Sequence, residues 1–194
     1  MSEFEIAAED SSPIVIGGLG GSGTRLVTEI VQKEGVTFGG PKNDFLDNLW
    51  FSLLFVRRTI LLKPIEEVRR LVWLFTNAMR HSLPLPDELL PLIEEAALHD
   101  RGPSLRKAVL DEARETLVNN MFPGNSEGLW GWKQPNSHIL LPLLNQFFPK
   151  MKFIYVLRNG LDMAFSYNQN QLKYFWGDLL LEGDVEPSPR NALR

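Results

Sequence analysis

Ile14-Val15-Ile16-Gly17-Gly18-Leu19-Gly20-Gly21-Ser22-Gly23-Thr24-Arg25 is the stretch from which the fold of this chain can be read. The β-branched run 14–16, opened by Pro13 and closed by glycine, has the composition of a buried parallel strand. Glycines then stand at 17, 18, 20, 21 and 23. From Thr24 the pattern turns helical, with Leu26, Val27, Ile30 and Val31 expected on the buried face and Glu29, Gln32 and Lys33 outside. Gly35 is placed to end that helix. A strand, a glycine-rich turn and a helix in this order make a site for an oxyanion. Without Cβ atoms the backbone N–H groups can converge on it, and the helix adds its positive N-terminal end. Ser22 and Thr24 add hydroxyl donors and Arg25 a fork-shaped cation.

The loop by itself leaves several readings open. A nucleoside-triphosphatase loop needs glycine, four residues, then Gly-Lys-Ser/Thr. Gly18 and Gly23 have that spacing, but Thr24 stands where the lysine belongs. A dinucleotide-binding turn needs three spaced glycines, which Gly18, Gly20 and Gly23 supply, and an acidic residue after a second strand. No such residue is found, because Gly35 to Gly40 reads as a turn region. A glycine-rich turn that binds nothing is the third reading, disfavoured by the conformational entropy that so many glycines lose on ordering.

Outward from the loop, residues 1–12 are expected to form a flexible tail, and residues 13–194 a single domain. Residues 41–125 read as a helical insertion. Glu66 to Arg80 places Val68, Leu71, Val72, Phe75 and Met79 at helical spacing, Pro84 and Pro86 break the pattern, and Asp87 caps a helix to about His99. Ser104 caps a third helix, and Pro123-Gly124-Asn125 is a turn. Beyond it, Asn136 or Ser137 caps a helix ending at Phe148, Phe153 to Leu157 is a strand, Asp162 to about Trp176 is helical, and the tail from Gly183 reads as loop. Strands at both ends of a helical insertion predict an α/β fold: a parallel sheet flanked by helices, in a three-layer architecture like that of the P-loop NTPases.

Two further stretches narrow the choice. Gly21-Ser22-Gly23-Thr24 resembles the Ser-Gly-Thr core of the sulfotransferase loop. Phe153 to Ser166, FIYVLRNGLDMAFS, resembles the second sulfotransferase signature, in which a strand ends in arginine and a serine follows eight residues later. Gly131-Trp132-Lys133-Gln134-Pro135 resembles the Lys-x-Pro element of Golgi-type and bacterial sulfotransferases. The resemblance covers about residues 13–35 and 128–176.

The resemblance implies a donor, 3′-phosphoadenosine 5′-phosphosulfate (PAPS), and no metal requirement. Its 5′-phosphosulfate would lie on Gly20, Gly21, Ser22, Gly23, Thr24 and Arg25, and its 3′-phosphate on Arg158 and Ser166. Lys133 would stabilise the leaving oxygen or the sulfuryl group. The base is sought at Asp44, with Asp47 nearby, or at His138. The chain departs from the family at Gly21, where lysine or arginine is usual. It also lacks the downstream glycine-rich adenine element with its lysine, and it is short enough to suggest C-terminal incompleteness. A P-loop kinase or NTPase with a displaced lysine stays open as the alternative, as does a nucleotide-binding scaffold without catalysis. Trp130, Trp132 and Trp176 are read as core residues before pocket residues.

Composition bounds the rest. The 194 residues include no cysteine, so disulfide scaffolds, thiolate metal sites and cysteine nucleophiles are excluded. The formal net charge of −4 argues against a general nucleic-acid binder. The polar N-terminus has no signal-peptide pattern and no apolar run reaches spanning length, so a cytoplasmic protein without membrane contact is expected. The acceptor is expected to be a small molecule or a carbohydrate, and a homo-oligomer is left open.

Overall fold

The computed structural model describes residues 4–99, 105–170, 172–173, 186 and 188–192. Four strands, β1 (Ile14–Gly18), β2 (Thr37–Phe38), β3 (Trp130–Lys133) and β4 (Lys152–Val156), form one sheet in the order β2-β3-β1-β4. Every pairing is parallel, with Ile16 opposite Lys133 on one side and Gly18 opposite Val156 on the other. Helix α1 (Thr24–Lys33) links β1 to β2. Helices α2 (Leu49–Phe55), α3 (Ile65–Arg80), α4 (Leu90–Leu98) and α5 (Lys107–Val118) lie between β2 and β3. Helix α6 (Leu141–Phe147) joins β3 to β4, and the short α7 (Gly160–Ala164) follows β4.

The alternation of side chains along a strand accounts for the layers. Val15 faces a large core with Trp130 and Trp132, where α2 to α6 pack. Ile16 faces the opposite side, against Val36 and Phe38, with Val27 and Val31 of α1 beneath. The large core is aromatic: Trp132 stacks on Phe51 at 5.3 Å between centroids and meets Phe75 edge-on at 5.1 Å. Trp130 and Trp132 are therefore core residues, and Trp176 lies outside the described residues.

The structure differs from the sequence-based expectation at several points. Residues 4–12 are not a loose tail: Phe4 packs edge-on against Trp73 at 5.2 Å, and Asp10 is buried against Arg80 and His81. Helix α1 buries Thr24 and Thr28 and exposes Leu26 and Ile30. The threonines tolerate burial because they are small and the Thr28 hydroxyl donates to the Thr24 carbonyl at 2.9 Å. Strands β2 and β3 were not predicted. The predicted helix from Asp162 is interrupted after Ala164, where Phe165 to Tyr167 bend away, and helical structure returns at Asn170, Leu172 and Lys173. Ser104, predicted to cap α5, and most of the tail from Gly183 lie outside the described residues.

Candidate functional site

In an open parallel sheet, ligands bind outside the carboxyl ends of the strands where the strand order reverses. Here that place is the end of β1, between β3 and β4. Three chain segments leave the sheet side by side: the glycine loop from β1, Lys133-Gln134-Pro135 from β3, and Leu157-Arg158 from β4.

The loop is tightly folded. Ser22 N–H donates to the Leu19 carbonyl at 3.0 Å. Gly18 has φ +145°, and a Cβ there would run into the Val156 carbonyl of the neighbouring strand, so no larger residue fits. Gly23 takes φ +103° as it caps α1, whose first amides have no intrahelical acceptor and point back at the loop. Among the described residues the Ser22 hydroxyl oxygen is buried without a hydrogen-bond partner. A buried polar atom left unpaired is costly, and Ser22, alone of residues 20–25, does not line the cleft over the loop. Arg158 donates from Nη1 to the Gly21 carbonyl at 3.3 Å, so β4 braces the loop from its other side.

A cleft of about 460 Å³ opens over the loop. Gly20, Gly21, Gly23, Thr24 and Arg25 form one wall, and Phe45, Asp47 and Lys133 the other. The Lys133 side chain is only 2% exposed and makes an ion pair with Asp47, and its Nζ donates to the Phe45 carbonyl at 2.9 Å. The loop that carries Asp47 is shaped from within. Asn43 Oδ1 accepts from the N–H groups of Phe45 at 3.0 Å and Asp47 at 2.9 Å, and Asn43 Nδ2 donates to the Asp47 carboxylate at 3.2 Å. Leu46 is driven to φ +63°, a conformation that costs a non-glycine residue energy and gathers at functional sites. Its far end is fixed by Asn48, which donates its N–H to the Lys133 carbonyl at 2.8 Å and caps α2 through its side chain.

Asp44 is exposed and does not line this cleft; Asp47, three residues on, does. The pattern that would have separated them is Asn43-x-x-x-Asp47, an asparagine able to fold the chain onto its own amides. His138 lies away from the cleft wall. Its Nδ1–H donates to the Pro135 carbonyl at 2.7 Å, its ring packs on Tyr155 at 5.6 Å, and burial lowers its pKa below 6.5. Arg25 is a cleft residue with a half-exposed side chain, loosely paired to Glu29 at 3.9 Å.

Arg158 and Ser166 are not brought into one cavity. Arg158 sits at the loop, with Asp162 at 3.8 Å. Ser166 follows the end of α7, accepts the Asn168 N–H at 3.2 Å, and lines a second cleft of about 420 Å³ with Tyr167 and Lys173. Asn170 lines both clefts and so marks where they meet. Among the described residues, no group of three or more His, Asp or Glu side chains could hold a metal ion, and no helix is long and apolar enough to cross a membrane.

A three-layer parallel α/β fold that gathers a glycine loop, a helix N-terminus and a buried lysine at one sheet end is suited to holding an anionic ligand. Comparison with known families agrees: the model described as "Sulfotransferase family" matches residues 13–178, most of the chain, and the protein belongs to that family. Its general chemistry is therefore sulfuryl transfer. No curated protein and no solved structure matches the chain.

Proposed function

We propose that the protein transfers a sulfuryl group from PAPS to an acceptor hydroxyl or amine. The observation that carries this reading is the convergence of the glycine loop and Lys133 on one cleft at the carboxyl end of β1. The loop fits the donor's 5′ end: it has a backbone cradle that side chains would fill, the Thr24 side of the cleft wall, and the positive end of α1. The acceptor oxygen attacks sulfur in line as the bond from sulfur to the donor's phosphate oxygen breaks, and negative charge builds on that oxygen. Fixed donors and a cation at that oxygen do most of the catalytic work.

Lys133 is the buried cation of the cleft, which Arg25 also lines. With an anion on the loop, its ammonium turns from Asp47 toward the leaving oxygen, and Asp47 is freed to take the acceptor proton. Asp47 thus replaces Asp44 as the base in this reading. Arg158 and Ser166 hold the 3′-phosphate, which requires them to approach each other across the junction of the two clefts.

Calorimetric titration tests the donor. The protein is expected to bind 3′-phosphoadenosine 5′-phosphate in the absence of magnesium. Binding of ATP with magnesium, and of no 3′-phosphorylated nucleotide, overturns the reading in favour of a kinase or NTPase.

A further inference from the structure

Gly21 leaves a gap in the loop wall, and another side chain overhangs it. Gly21 has φ +89°, and the nearest atom to the position its Cβ would occupy is Asn168 Nδ2, at 3.7 Å. Asn168 lines the same cleft as Gly21 and Lys133, although it comes from the segment after α7. Its orientation is fixed by local hydrogen bonds. The backbone N–H donates to the Ser166 hydroxyl at 3.2 Å, and Oδ1 accepts from the Asn170 N–H at 3.4 Å. With Oδ1 engaged as acceptor, the amide presents its donor end, Nδ2, to the loop. Nδ2 makes no hydrogen bond among the described residues.

We infer that Asn168 is an oxyanion-binding residue, whose Nδ2–H donates to the 5′-phosphosulfate group seated on the loop beside Gly21. A neutral donor then does what no side chain at position 21 can do in this chain, and Lys133 remains the buried cation of the site. The bend after Ala164 acquires a purpose, because a continued helix would not direct residue 168 back over the loop. Ser166 joins the two ends of the site: its hydroxyl accepts the Asn168 N–H, and the residue lines the second cleft.

This inference rests on the donor reading, and two ligands separate the two. Calorimetry is run with 3′-phosphoadenosine 5′-phosphate and with adenosine 3′-phosphate, which lacks the 5′ group. Asn168→Ala is expected to weaken the first about tenfold, or about 1.4 kcal/mol, and to leave the second unchanged. Asn168→Asp keeps the Oδ1 acceptor for Asn170 while replacing the donor by a carboxylate, and is expected to weaken the first ligand further. Equal loss for both ligands would mean a structural role and overturn the inference, as would wild-type affinity in both variants. A wild-type protein that binds neither ligand overturns the donor reading itself and this inference with it.

Discussion

At the scale of single residues, the Lys133–Asp47 pair is the feature on which turnover depends. Lysine is almost never this deeply buried without a partner, and here the partner is a carboxylate that also faces the cleft. Asp47→Asn preserves the shape, keeps one acceptor oxygen for Lys133 or Asn43 but not for both, and removes the proton acceptor. Its kcat is expected to fall about 100-fold or more, the usual contribution of a general base, with donor affinity little changed. Asp44→Asn, at an exposed position off the cleft, is expected to leave kcat unchanged. A steady-state comparison of the two variants decides between the two aspartates.

His138 belongs to the same scale but acts on stability. Burial lowers its folded pKa below 6.5, while the unfolded chain keeps the ordinary value. Below about 6.5 the unfolded state therefore binds more protons than the folded one, and the equilibrium shifts toward unfolding. The contribution of His138 is complete above the ordinary imidazole range and declines as the pH falls from there toward the folded pKa. Thermal melts at pH 7.5 and pH 5.5 are expected to show a smaller drop for His138→Gln than for wild type.

At the scale of elements, the sheet shows what a sequence can and cannot announce. Strand β1, its loop and strand β4 were legible because a run of apolar β-branched or aromatic residues ends in a glycine or an arginine at a defined place. Strands β2 and β3 have two and four residues. Neither is long enough for a period-two pattern, and they exist because β3 is held by the parallel ladder with β1 and β2 by the ladder with β3. Lys133 was found through its neighbours in sequence, but its partner Asp47 was not, since the pairing spans 86 residues and depends on a turn at Leu46. Helix α1 departs from its sequence pattern for a related reason: periodicity identifies an apolar stripe, and tertiary packing decides how much of it is buried, here Val27 and Val31 alone. Leu26 and Ile30 face outward, with Leu26 lining the cleft. Thr28 has no exposed surface. Ile30→Lys is accordingly expected to change stability by no more than about 0.5 kcal/mol. Thr28→Leu inserts volume where none is free and loses the bond to Thr24, at a cost of about 1–3 kcal/mol. Urea unfolding of the two variants measures both effects, and a larger loss for Ile30→Lys than for Thr28→Leu would contradict the burial of Thr28.

At the scale of the whole molecule, the end of the sheet opposite the site is closed by the segment before β1. Asp10 accepts from Arg80 Nε at 2.8 Å and pairs with His81 Nε2 at 2.6 Å, at the carboxyl end of α3. Arg80 also donates to the carbonyls of Asn125 and Ser126 and lies over the Trp130 ring at 5.5 Å. One guanidinium thus ties the N-terminal segment, the helical insertion and the entry to β3. Both side chains of the Arg80–Asp10 pair are at most 3% exposed, so solvent cannot replace a lost partner. Asp10→Ala leaves the Arg80 charge buried and unpaired, which costs about 3–5 kcal/mol. For a chain of this size that is a fall in Tm of roughly 6–20 °C. Glu9→Ala, at an exposed neighbouring position with the same loss of charge, is expected to leave Tm within about 2 °C of wild type. Removal of residues 1–12 is expected to match or exceed the effect of Asp10→Ala, because it also uncovers Trp73 from Phe4. Calorimetric melts of the three variants measure this, and a truncated chain melting with wild type would show that the segment is an appendage after all.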